Sequence, residues 1–143
     1  MIPGKSIIRE CSSCGKHMAQ RTLMSGNTCG AVYWTDGKRE APMLPELPLL
    51  VKCQHCGTLV WIREQIEVKN VDRAYLGKEY SPLMPTLEDY AAFLEKGMND
   101  WQKECYVRHH AWWVGNDPRR ESSQTPLNSF EIENLRAFIP LLN

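Results

Sequence analysis

Cys11-Ser12-Ser13-Cys14-Gly15 and Cys53-Gln54-His55-Cys56-Gly57 are two copies of one pattern, a cysteine pair spaced by two residues and closed by glycine. Four thiolates are enough for a closed tetrahedral zinc site. Two intervening residues let both sulfurs of a pair reach one ion from a tight turn, and the glycine permits the backbone conformation that such a turn needs. The duplicated unit predicts one zinc ion held by Cys11, Cys14, Cys53 and Cys56. The competing reading is four buried or disulfide-paired cysteines. Met1 to Arg9 lack the apolar core of a signal peptide, so we expect a cytoplasmic protein, in which thiols stay reduced and serve metal or redox chemistry.

Between and beside the two pairs, short β-like segments alternate with turn signals. His17 to Leu23 is one expected strand, Ser25-Gly26-Asn27 a turn, and Thr28 to Trp34 a second strand. Asp36-Gly37 suits a two-residue hairpin turn, so a hairpin is expected from Thr28 to about Ala41. Pro42, Pro45 and Pro48 recur every third residue and predict an extended path leading back to Cys53. The interleaved Met43, Leu44, Leu47 and Leu49 suggest that this strip packs on its own domain. Thr58 to Ile62 reads as a further strand.

Beyond about Lys69 the spacing becomes helical. Thr86 with Asp89 resembles a capping box; Leu87, Tyr90, Ala91 and Leu94 fall on one face, and Gly97 is a stop signal. A second helix is expected from Asn99 or Asp100 to Gly115, closed by an Asn-Asp-Pro turn at 116–118. Its apolar residues point in three directions: Trp101, Cys105 and Trp112; Tyr106 and Trp113; Val107 and Val114. A third helix is expected from Asn128 or Ser129, with Glu131 completing a cap. Phe130, Leu135 and Phe138 lie near one face, and Pro140 fits only at the end. The expected fold is therefore α+β: an N-terminal antiparallel region over residues 1–68, then a helical region of three helices over 69–143.

The two Cys-x-x-Cys-Gly units resemble the knuckles of zinc-ribbon, or rubredoxin-like, domains, over about residues 7–66. That resemblance implies three antiparallel strands holding metal between two knuckle turns. A second resemblance is to bacterial proteins in which such a ribbon precedes helical, tetratricopeptide-like repeats; it implies no activity. Iron rubredoxins share the ribbon class, and sulfur ligands alone do not separate zinc from iron. Their knuckles usually carry proline after the first cysteine, where this chain has Ser12 and Gln54, so zinc is the expected metal and an iron electron carrier an alternative. A thioredoxin-like dithiol would need one pair at a helix N-terminus after a strand.

The remaining candidates favour structural roles. Cys29, inside an expected strand, reads as a small buried thiol. Cys105 and His109 share a helix face but lack further ligands at matching intervals, and His17 and His55 flank a metal shell that four cysteines fill. With 17 basic and 17 acidic residues the chain has no global field for a polyanion, and no apolar run is long enough to cross a membrane. A nucleic-acid-binding ribbon would need a local patch from Lys5, Arg9, Lys16 and Arg21. No phosphate-binding glycine loop, nucleophile elbow or paired-carboxylate motif is present, so the expectation is a non-catalytic module. Its expected contact surface is the helical region, through Trp113, Phe138 and Leu142, toward a protein partner, a second copy or further domains of a longer chain.

Overall fold

The structure is a computed structural model that describes residues 1–72, 76–122 and 124–143. It is α+β, and among the described residues all strands precede the three α-helices. The chain divides into two compact units, Met1–Met84 and Pro85–Asn143.

In the first unit, β1 (Ile2–Pro3), β2 (Ser6–Glu10), β3 (His17–Gln20) and β4 (Leu23–Ser25) precede a small hairpin of β5 (Val32–Tyr33) and β6 (Arg39–Glu40). Then follow β7 (Leu50–Lys52), β8 (Leu59–Trp61), a 3-10 turn at Ile62–Glu64, and β9 (Ile66–Val71). Every pairing is antiparallel: β3-β2-β9 form a three-stranded sheet, and β1-β4, β5-β6 and β7-β8 form pairs. β2 alternates as a half-buried strand should, with Ser6 and Ile8 buried and Ile7 and Arg9 half-buried. Cys11, Met18, Val51, Cys53, Val60 and Ile62 pack into one buried cluster, so one cysteine of each pair is part of the core. Lys52 also exchanges two 2.8 Å backbone hydrogen bonds with Leu83, which ties the segment after β9 back onto β7.

The second unit contains α1 (Leu87–Glu95), α2 (Trp101–Arg120) and α3 (Ser129–Phe138), with a 3-10 turn over Ile139–Leu142. The expected caps are present. Thr86 Oγ1 accepts from Asp89 N while Asp89 accepts from Thr86 N, and Asn128 and Glu131 make the same reciprocal pair at α3. Gly97 takes φ +76° just past α1, the left-handed stop that glycine favours. Pro140 sits in the closing 3-10 turn. The buried seam of α2 is Val107, Ala111 and Gly115, one residue per turn. Trp112 and Trp113 flank it half-buried, and Trp101 is 58% exposed.

Three expectations are corrected. The second helix does not stop at Gly115 but runs through Asn116-Asp117-Pro118 to Arg120. Gly115 is an approach point and not a terminus: a Cβ there would collide with the carboxylate of Glu131. The carbonyl of Gly115 accepts from Arg119 Nη1 at 2.7 Å, and Pro118, which has no amide to offer the carbonyl four residues back, falls in the last turn, two residues before the helix ends. The strand expected from Thr28 begins only at Val32. Asn27 Oδ1 accepts from Cys29 N at 2.9 Å and Gly30 takes φ +74°, so a side-chain-closed turn outcompetes the β propensity of the stretch. For the same reason Cys29 is exposed and not buried.

Candidate metal centre

Each cysteine pair occupies the turn between two paired strands, Cys11–Gly15 between β2 and β3 and Cys53–Gly57 between β7 and β8. The turns have matching backbone bonds. Gly15 N donates to Cys11 O and Gly57 N to Cys53 O, both at 2.8 Å. Cys11 N donates to Lys16 O at 2.8 Å and Cys53 N to Thr58 O at 2.9 Å. Both glycines take φ +73°, a conformation that a side chain would strain.

The turns bring all four Sγ atoms within 4.8 Å of one another. Cys11 Sγ lies 3.9 Å from Cys56 Sγ, and Cys14 Sγ 3.8 Å from Cys53 Sγ. A regular tetrahedron with metal–sulfur bonds of about 2.3 Å separates its sulfurs by about 3.8 Å, so the donor set fits one thiolate-bound ion. A disulfide would require about 2.05 Å, and all six cysteines are free thiols. Cys11 and Cys53 are 1% and 0% exposed, whereas Cys14 and Cys56 face solvent.

The electrostatics point the same way. Cys56 receives hydrogen bonds from the Thr58 hydroxyl and backbone, which push its pKa down to about 6. Cys14 gains from a backbone hydrogen bond at Lys16, but desolvation and the three neighbouring sulfurs outweigh it and push the thiol up to about 12. Burial raises Cys53. Four sulfurs this close cannot all ionise unless a cation offsets their mutual repulsion.

Four side chains that carry no sequence motif brace the site. Gln65, 8% exposed, accepts from Ser12 N at 2.8 Å and donates to Trp61 O at 3.1 Å, which fixes the first turn against the end of β8. Gln54 Nε2 donates to the carbonyls of Lys78 (2.9 Å) and Glu79, anchoring the second turn. Ser13 Oγ and Thr58 Oγ1, 3.2 Å apart, link the two turns directly. Nothing in the local sequence singles these residues out, because their partners are brought near only by the fold.

The other sequence candidates are dispersed. Lys5 pairs with Asp72 at 3.1 Å, and Arg9 is held by Gln20, the Gln65 carbonyl and Glu67, so these two basic residues near the first turn, like Arg21, are engaged. Cys105 is half-buried and His109 packs among Trp113, Trp112 and Phe138, with ring centroids 4.3, 6.0 and 5.3 Å away. Neither belongs to a cluster of metal-ligating groups among the described residues. Trp113 is half-buried, Phe138 is 3% exposed and Leu142 is 64% exposed. No helix among the described residues is long and apolar enough to cross a membrane. No protein-family model, curated protein or solved structure matches the chain.

Proposed function

We propose that the first unit is a zinc ribbon in which Cys11, Cys14, Cys53 and Cys56 hold one structural zinc ion, and that the chain is a non-catalytic interaction module of the cytoplasm. The observation that carries this reading is the convergence of four thiols at tetrahedral spacing from two equivalent turns. Zinc is favoured over iron because Ser12 and Gln54 stand where the knuckles of electron-carrying rubredoxins usually have proline. A four-thiolate shell leaves no coordination position for substrate, so the metal supplies folding energy and not Lewis-acid chemistry.

The helical unit is the proposed contact surface. Trp101 and Leu142 lie together at its rim, since Trp101 Nε1 donates to Leu141 O at 3.1 Å, and with Ile139 they are 58%, 64% and 60% exposed. Trp113 stands half-buried about three turns along α2 from Trp101, and Phe138, which precedes Ile139, is buried. A protein partner is favoured over nucleic acid because Lys5 and Arg9 are already paired. Elemental analysis of the purified protein should give one zinc per chain, with no visible absorption of the ferric–thiolate type. Absence of stoichiometric metal would overturn the ribbon reading. Unchanged partner binding or self-association in a Trp101→Ala, Leu142→Ala double variant would overturn the surface.

A further inference from the structure

A cavity of about 290 Å³ opens in the first unit, away from the four cysteines. Its floor is the buried part of its lining, Ser6, Ala19, Val51 and Ile62, at 2%, 9%, 0% and 2% exposure, and Leu47 and Pro48 of the proline strip form a half-buried wall. The exposed lining residues include three charges: Arg21 after β3, Arg63 in the 3-10 turn and Glu46 in the strip. Two guanidiniums against one carboxylate leave the rim with a net charge of one positive. Arg63 makes no ion pair among the described residues. A floor of three apolar side chains and one serine under a cationic rim suits a ligand with one anionic end and a largely apolar body, because the floor strips water from the body while a guanidinium takes a carboxylate through two parallel N–H donors.

We infer that this cavity is a binding site for a small organic acid, with its carboxylate on Arg63 and its hydrocarbon part against Val51, Ile62 and Leu47. The cavity is at the small end of ligand pockets, which limits the body to a short chain or a single ring. None of the four cysteines lines the cavity, so the ligand would make no contact with the metal ligands and would depend on them only through the fold of the unit. Val51 and Ile62 also belong to the core cluster that holds Cys11 and Cys53, so a ligand on this floor would rest on the same packing that positions the cysteine turns.

The test is titration of the isotope-labelled full chain with sodium hexanoate, with hexan-1-ol as the neutral control, followed by amide chemical shifts. Hexanoate should give saturable shifts confined to residues 19–21, 46–51 and 62–63, and hexan-1-ol should bind more weakly. Arg63→Gln should weaken hexanoate by at least about tenfold, the loss of a charge-assisted hydrogen bond, and Arg63→Lys should weaken it less. Arg63 is exposed, so neither variant threatens the fold, and unchanged shifts elsewhere in the spectrum verify this. The inference is overturned by an absence of saturable shifts, by equal affinity for hexan-1-ol, or by an Arg63→Gln affinity equal to that of the parent chain.

Discussion

In the unit Met1–Met84 two of the side chains at the centre of the core are cysteines, Cys11 and Cys53, whereas in Pro85–Asn143 the centre is Tyr90, Val107, Ala111 and Phe138 beside a buried Glu131 paired with the half-buried Arg119. Among the described residues the strands of the first unit are two to six residues long and in four separate sheets, so each holds few hydrogen bonds. The helices of the second satisfy their own backbone and are capped by their own side chains. A chain whose sheets are this short needs a further crosslink, and the four thiols are placed to provide one. The helical unit has that role filled by Arg119, which donates to Glu131, Gly115 O, Asn116, Thr125 O and Pro126 O and so fastens the loop between α2 and α3 to both helices.

The comparison can be broken most severely by removing metal. Chelation, or Cys53→Ser, should cost the first unit on the order of 10 kcal/mol and abolish its amide protection, while α1 to α3 keep their far-UV circular dichroism. Loss of both signals together would show that the helices depend on the metal too. In the second unit Arg119→Ala should cost about 3 kcal/mol, because it strands the carboxylate of Glu131, which is 7% exposed. Its thermal melt should fall while its metal content matches that of the parent chain.

The same pair gives the second unit an acid sensitivity. Burial alone would raise the Glu131 pKa, but hydrogen bonds from Arg119 and the Asn128 backbone outweigh it, so the folded-state value lies below the ordinary 4.5. A depressed carboxyl contributes stability above its unfolded pKa and loses it as pH falls through the folded one. Helix stability should therefore drop below about pH 4.5, and an Arg119→Ala variant should show a smaller drop over that interval. Thr86→Ala removes the cap of α1 and should cost about 1 kcal/mol in a denaturant melt. Cys29→Ser, on an exposed turn, should change stability by less than about 0.5 kcal/mol, and a loss comparable to that of Cys53→Ser would show that Cys29 is more than a bystander.

What could be read from the residues alone was whatever depends on near neighbours. Thr86 with Asp89, Asn128 with Glu131, and glycine after each second cysteine are interactions within four residues, and all are present. Gly115 misled because a glycine that stops a helix and one that admits a neighbouring helix are alike in sequence; the distinguishing contact is with Glu131, on another helix. β9 carried no signal for a different reason. Residues 66–70 are all exposed, so no buried alternation marks the strand, and its place is set by pairing with β2. The four cysteines were legible as a set, but their braces, Gln65 and Gln54, were not.

The register of β9 bears on solubility. Ile8 pairs with Lys69 but Arg9 pairs with Glu67, so Val68 is an extra residue, a bulge in the strand at the margin of the three-stranded sheet. A flat strand with Ile66 and Val68 exposed would be a template for another molecule's strand and a nucleus for aggregates. The bulge turns Glu67 and Lys69 toward opposite faces and twists the margin, so an incoming strand cannot satisfy its hydrogen bonds and its side chains in one register. Deleting Val68 would restore a continuous ladder at the cost of colloidal stability: the shortened protein should fold, and then precipitate at concentrations where the parent chain stays clear.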